Sequence, residues 1–315
     1  MLERPEVEGW YDAAKSEGEV NYYASNNPAL SQRMAEGFNK RYPEIKVNIV
    51  RLASGPLGKR YATEAEAGTF VADILQLGDP TIIRDGYQKG WFTRIDELPS
   101  HAAWPEEYKA ENYAVANIFP GTITYNTTLV PDGGAPKAWP DILDPKWKGL
   151  ILAPDLRTSP TNMHWAKTMI DTYGEEFLTG LAAQDIRWVP STVPGTQMLA
   201  AGESALLLQN LRMVSYSVIE QGGPIDDVML EPNTGLESLV SISTQAPNPN
   251  SARLLVNYVL SPEGQALLVK DVGASPLGNI PGALPLPSDY RQASYEAISE
   301  ALAMSDRISK LVGLS

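Results

Sequence analysis

Residues 20–38 read Val20-Asn21-Tyr22-Tyr23-Ala24-Ser25-Asn26-Asn27-Pro28-Ala29-Leu30-Ser31-Gln32-Arg33-Met34-Ala35-Glu36-Gly37-Phe38. Val20 to Ala24 is a short run of the apolar and aromatic residues that favour a strand. Leu30, Met34 and Phe38 then recur every four residues, which puts them on one face of a helix. Between the two lies Asn27-Pro28, a capping residue followed by the residue best suited to the first helical position. The stretch is therefore a strand that turns through a cap directly into a helix.

Working outward, the same unit recurs. Lys46 to Leu52 reads as a second strand, with Gly55-Pro56 opening a helix over about residues 56–68. Ala72 to Leu77 reads as a third, with Asp79-Pro80 opening a helix over about residues 80–89. Strands alternating with helices predict a mostly parallel sheet with helices on its faces. Each helix then starts at the carboxyl end of its strand, where unpaired N–H groups and the positive end of the helix dipole face a ligand. The aromatics Tyr22, Tyr23 and Trp91 are assigned to the core.

A second series follows Gly121. A strand from Leu150 to Ala153 leads to Thr158-Ser159-Pro160 and a helix through about Tyr173. Ile186 to Val189 leads to Ser191-Thr192-Val193-Pro194 and a helix ending near Gly202. Ala205 to Gln209 leads to Asn210 and a helix through about Gln221. Ser238 to Thr244 is a further strand, and Ser251 to Lys270 reads as two helices split by Ser261-Pro262; both are taken as returning to the first lobe. A last helix, about residues 288–312, is expected to pack on the second. The expected organisation is α/β with two lobes, residues 1–116 plus 239–279 and residues 117–238 plus 280–315. Each lobe is a mixed, mostly parallel sheet flanked by helices, and Val115 to Tyr125 and Leu236 to Thr244 are the two hinge strands.

Composition narrows the function. The 315 residues exceed the roughly 250 to 300 at which single cores stop growing. Hydrophobic residues at 43% and charged residues at 20% fit a folded soluble protein, and no apolar run reaches the roughly 18 residues of a spanning helix. Met1-Leu2-Glu3-Arg4-Pro5 carries no basic segment and apolar stretch of a secretory signal, which leaves a cytoplasmic chain or a mature exported one. A net charge of −13 disfavours nucleic acid and anionic membranes as partners. It does not oppose an anionic ligand, because a shielded pocket sees its own few groups at short range. With no Cys, and only His101 and His164, disulfides, thiolate sites and a multi-histidine metal centre drop out. Neither a phosphate loop nor a G-x-S-x-G, H-E-x-x-H or G-x-G-x-x-G motif is present, so no cofactor and no catalytic residue is assigned.

The most specific stretch is Trp139-Pro140-Asp141-Ile142-Leu143-Asp144-Pro145-Lys146-Trp147-Lys148-Gly149. With Phe119-Pro120-Gly121-Thr122-Ile123-Thr124-Tyr125-Asn126, Met198-Leu199-Ala200-Ala201-Gly202-Glu203 and Leu260-Ser261-Pro262-Glu263-Gly264-Gln265, it resembles the extracellular solute-binding proteins of ABC importers, in the branch that includes ferric-ion-binding proteins. The resemblance covers nearly the whole chain. It implies a type II periplasmic-binding-protein fold whose lobes close on a small solute by hinge motion without altering it. It also implies a monomer in the periplasm or outside the cytoplasm, with an ABC permease and a separate ATPase subunit as partners. Trp139 and Trp147 are read as core, and Asp141 and Asp144 as caps.

One departure from the family bears on the ligand. Iron-binding relatives carry an Asn followed by a Tyr-Tyr pair; setting Asn210 against that Asn puts Arg212 and Met213 at the pair's positions, leaving Tyr216 as the nearby phenol. A single phenolate is a poor site for a hard ferric ion, whereas a guanidinium binds carboxylate or phosphate in a forked manner. The expected ligand is a small organic anion bearing a carboxylate, phosphonate or phosphate. Expected contacts are Ser25, Asn26, Ser54, Gly55 and Asp79 in the first lobe, and Thr122 on the crossing strand. The second lobe offers Thr158, Ser159, Thr192, Asn210, Arg212 and Tyr216, with Arg157 as a rim charge. Ferric ion, held by Asp79 and Tyr216, and a polyamine, held by Asp79 and Glu237, are the alternatives within the binding class. An effector-sensing domain or an enzyme on the same fold are those outside it.

Overall fold

The computed structural model describes residues 2–314. The chain divides into two units, Met1–Ile118 with Glu237–Pro285 and Phe119–Leu236 with Leu286–Ser315.

The first unit opens with α1 (Pro5–Glu17), which the strand-and-cap pattern does not reveal. Pro5 sits at its start, Val7 and Ala14 are buried, and Gly18 ends it at φ 71°, a left-handed turn that lets β1 (Glu19–Ala24) begin at once. Then come α2 (Pro28–Arg41), β2 (Lys46–Arg51), α3 (Ser54–Glu66), β3 (Ile74–Leu77), α4 (Pro80–Gln88), the single turn α5 (Pro99–Ala102), and β4 (Lys109–Ala110), which pairs with β5 (Tyr113–Asn126). Because β1 pairs parallel with both β2 and β3, the carboxyl ends of all three lie on one edge. Leu30, Met34 and Phe38 are buried on α2, as their spacing requires, and Tyr22, Tyr23 and Trp91 are core residues.

Two of the three expected caps stand. Asn27 and Asp79 each accept the N–H two residues on, at 2.9 Å. The third is corrected: α3 starts two residues before Pro56, with Ala53 at its cap. Pro56 is then the third helical residue, still within the first turn, where the missing N–H has no intrahelical partner to lose.

The second unit continues through two short 3-10 turns, Trp139–Leu143 and Pro145–Trp147, to β6 (Ile151–Pro154), α6 (Pro160–Tyr173), α7 (Glu175–Ala182), β7 (Arg187–Val189), α8 (Thr192–Ala200), β8 (Leu206–Leu211), α9 (Arg212–Glu220) and β9 (Ile225–Val228). β6 runs parallel to β7 and β8, while β5 pairs antiparallel with β8 and β9. Trp139 and Trp147 are buried, and their indole N–H groups donate to Pro232 O and Asp141 O at 2.8 and 3.0 Å. Asp144 caps the second turn through Lys146 N, and Asp141 accepts the N–H groups of Lys137 and Ala138. The tryptophan-rich stretch is thus a packing device.

β10 (Gly235–Ile242) pairs antiparallel with β3, and α10 (Pro249–Val259) and α11 (Pro262–Leu268) complete the first unit. The boundaries at Ile118/Phe119 and Leu236/Glu237 fall inside β5 and β10. The single final helix expected over residues 288–312 is instead two, α12 (Tyr295–Ala303) and α13 (Ser305–Leu311). Ser294 sets the later start by accepting the N–H of Ala297, and α12 packs on α6. Among the described residues no helix is long and apolar enough to cross a membrane.

Candidate functional site

In the second unit the parallel strands β6, β7 and β8 deliver three chain turns to one sheet edge. There a cavity of about 270 Å³ opens. Strand β6 supplies Pro154, and the turn after it supplies Thr158 and Ser159. Thr161 and Asn162 come from the first turn of α6, Pro190 and Ser191 from the end of β7, and Thr192 from the start of α8. Gln209 and Leu211 come from β8, and Gly235 and Leu236 from the chain entering β10. None of these side chains carries a charge.

The caps around the cavity differ in how they are satisfied. Ser159 caps α6 through its hydroxyl, which accepts Thr161 N at 3.3 Å and lies 2.8 Å from Thr161 Oγ1. The side chain of Ser191, at the cap of α8, accepts no helix N–H. The first-turn N–H groups of a helix have no intrahelical partner, so two dipole ends meet in this cavity, one of them uncapped by its own side chain. Among the expected contacts, Thr158, Ser159 and Thr192 line it.

Asn210 does not. The expectation placed it at a helix start, but β8 runs two residues further, and in a strand successive side chains face opposite ways. Asn210 is therefore buried against Thr124 Oγ1 and Thr196 Oγ1, at 2.8 and 3.1 Å, while Gln209 and Leu211 on either side face the cavity. Thr161, Asn162, Ser191 and Gln209 are the polar lining residues that sequence reasoning missed.

Arg212 opens α9 but is not among the cavity-lining residues; its Nη1 lies 3.4 Å from Asp227 Oδ2, a carboxylate whose side chain is 3% exposed. Asp227 also accepts Ser215 Oγ and Thr124 Oγ1, each at 2.6 Å. Burial pushes this carboxyl above its ordinary range, against the opposing pull of those hydroxyls and of the guanidinium. Arg212 thus offsets a buried charge in the unit's own framework. Tyr216 lies near Glu220, its hydroxyl 3.5 Å from Oε1, and does not border the cavity. Thr122 is buried on β5 with an unpartnered hydroxyl. Arg157 forks onto Asp155 at the exposed rim, at 3.0 and 2.7 Å.

In the first unit the expected contacts gather on the edge formed by β1, β2 and β3. Ser25 donates its N–H to Gln76 O at 2.9 Å. Asn26 is buried, accepting from Ser238 Oγ at 3.3 Å, with its amide nitrogen unpartnered. Ser54 accepts Gly78 N at 3.4 Å, Gly55 is exposed, and Asp79 takes both the N–H and the hydroxyl of Thr81. Glu237 is buried on β10.

A second cavity in the second unit, about 390 Å³, is bordered by His164, Lys167, Asp171, Arg291 and Glu300. His164 is 5% exposed, its Nδ1 has no partner, and burial holds the imidazole down at about 4.

Residues 23–266 match the family of bacterial extracellular solute-binding proteins. The chain belongs to that family. Solved structures similar to this solute-binding protein include the substrate-binding protein of an ABC transporter from Agrobacterium tumefaciens, at 15% identity and TM-score 0.78, covering 93% of this chain and 94% of that one. Iron-bound HitA from Pseudomonas aeruginosa is similar at 18% identity and TM-score 0.73, over 92% of this chain and 99% of its own. The periplasmic binding protein AfuA from Actinobacillus pleuropneumoniae, with fructose-6-phosphate bound, is similar at 21% identity and TM-score 0.65, over 94% and 97%. At these identities the likeness is one of fold, that of type II periplasmic binding proteins.

Proposed function

We propose that this solute-binding protein is the capture component of an ABC importer. It takes a small organic anion bearing a carboxylate, phosphonate or phosphate, and the anionic group seats where α6 and α8 begin. The carrying observation is a cavity that joins two helix starts, one uncapped by its own side chain, and is lined by hydroxyls and amides. Helix N-termini bind anions without a cationic side chain, through N–H groups and the dipole. This chain lacks a phosphate loop, so ATP hydrolysis falls to another subunit and the solute passes unchanged to a permease. A location outside the cytoplasm follows from the family.

HitA is an iron protein by name, and AfuA was solved with a sugar phosphate. The cavity lining favours the second kind of ligand. Ferric ion needs several anionic oxygen donors, and a polyamine needs carboxylates, whereas among the described residues the lining holds neither carboxylate nor phenol.

The test is calorimetric titration with a panel of carboxylates, phosphonates, phosphates and uncharged analogues, in wild type and Thr161→Asp. An aspartate at the second position of α6 suits the helix dipole, so folding is kept, but it puts a negative charge in the cavity. The expected result is a preferred anion, recovered intact, whose affinity drops about tenfold or more in the variant. An uncharged analogue binding as tightly as the best anion, an unaffected Thr161→Asp, or turnover of the ligand overturns the proposal.

A further inference from the structure

The pairing of β5 with β8 slips at the cavity. Thr122 pairs with Asn210 and Thr124 with Leu207, so two steps along β5 correspond to three along β8. The extra residue makes a β-bulge, and Gln209 within it has φ 51°, a left-handed conformation that costs a non-glycine residue energy. Gln209 lines the cavity, and its Nε2 is enclosed without a hydrogen-bond partner. Residues held in sparsely populated backbone conformations concentrate at ligand sites, where the surrounding structure maintains the strain. An amide donor left unpaired in the protein is in addition costly unless something else accepts from it.

On the reading that an anion seats at α6 and α8, the structure assigns Gln209 as a specificity-determining residue that reads a hydroxyl oxygen on the solute's carbon skeleton. The preferred class is a hydroxylated organic anion, such as a sugar phosphate or sugar acid, over a bare alkyl anion. From this bulge Gln209 lines the cavity, while its neighbour Asn210 stays in the core. Asn162, on the first turn of α6, is the second amide on the lining. Leu211, Leu236, Pro154 and Pro190 supply apolar wall for the C–H faces of such a skeleton. An amide donates to one hydroxyl lone pair and accepts from another hydroxyl, so each lost hydroxyl leaves a polar atom of the site unsatisfied.

The experiment compares matched ligands: fructose 6-phosphate against hexyl phosphate, and gluconate against hexanoate. Each is titrated into wild type, Gln209→Leu and Gln209→Gly. Wild type is expected to favour the hydroxylated member of at least one pair about tenfold or more. In both variants that preference falls below about twofold. Gln209→Gly guards against misfolding, because glycine adopts φ 51° freely; its melting temperature is expected to equal or exceed that of wild type. A preference that survives in both variants overturns the assignment alone, as does wild-type binding without any preference. Wild type binding none of the four ligands overturns the anion reading for these classes and this assignment with it.

Discussion

The strand ends of the two units follow one local rule and reach different outcomes. In the first unit, Asn27 and Asp79 cap their own helices and Ser54 accepts from Gly78, although α3, with Ala53 at its start, has no side-chain cap and the Asn26 amide nitrogen is unpartnered. In the second, Ser159 caps α6, but the Ser191 side chain accepts no helix N–H, Gln209 holds a left-handed backbone with its Nε2 unpartnered, and a cavity opens between the turns. Both edges come from parallel strands running into helices. What separates them is how many of these helices are capped by their own side chain, α2 and α4 in the first unit and α6 in the second, and a cap that finds its partner is a structural feature whatever its residue type.

The contrast can be broken first at the cavity's edge. A Cβ added at Gly235 would lie 2.3 Å from Phe119 O, a backbone atom that has no side-chain freedom to move aside. Gly235→Val is expected to destabilise by about 3 kcal/mol or more in denaturant unfolding. A loss below about 1 kcal/mol would mean this close approach is not a fixed part of the cavity.

Acidification sharpens the contrast with a somewhat smaller effect. Unfolded histidine protonates near 6.5, whereas burial holds folded His164 neutral down to about 4. The unfolded state therefore takes up the extra proton, so stability is complete above pH 6.5 and falls as pH drops through that window, by about 3 kcal/mol at most. His101 of the first unit is also lowered by burial, but its Nε2 pairs with Ala110 O at 2.8 Å, which pulls the other way. Hydrogen exchange between pH 7 and 4 should show α6 losing protection before α5, and His164→Gln should flatten the pH dependence.

The smallest effect tests the caps directly. Asn27→Ala is expected to cost about 1 kcal/mol of stability and to leave solute affinity unchanged, because Asn27 caps α2. Ser191→Ala is expected to change stability by less than about 0.5 kcal/mol, since its hydroxyl accepts no helix N–H, and to weaken solute binding severalfold. Thermal melts and calorimetry on the two variants check both halves, and the reverse pattern would erase the distinction between the edges.

Much of the fold was legible because it rests on local periodicity. The four-residue spacing of Leu30, Met34 and Phe38 and the caps at Asn27, Asp79 and Ser159 recur in the structure. The site was legible only in part. Thr158, Ser159 and Thr192 reach the cavity because helix starts on a parallel edge must face it. Gln209 was missed because its left-handed backbone goes with a slip in pairing between β5 and β8, which joins residues some 85 positions apart. The pairing of Arg212 with Asp227 was not legible, because Asp227 meets it only through β9.

The amino-acid sequence by itself determined most of the strand and helix order, the caps at Asn27, Asp79 and Ser159, the packing role of the tryptophans and the family, since each depends on neighbours within a few residues or on a contiguous motif. Tertiary structure alone decided which polar groups remain unsatisfied. Hydrogen-bond partners such as Asp227 for Arg212, and the absence of one for the Gln209 amide nitrogen, are set by chain segments that meet only after folding.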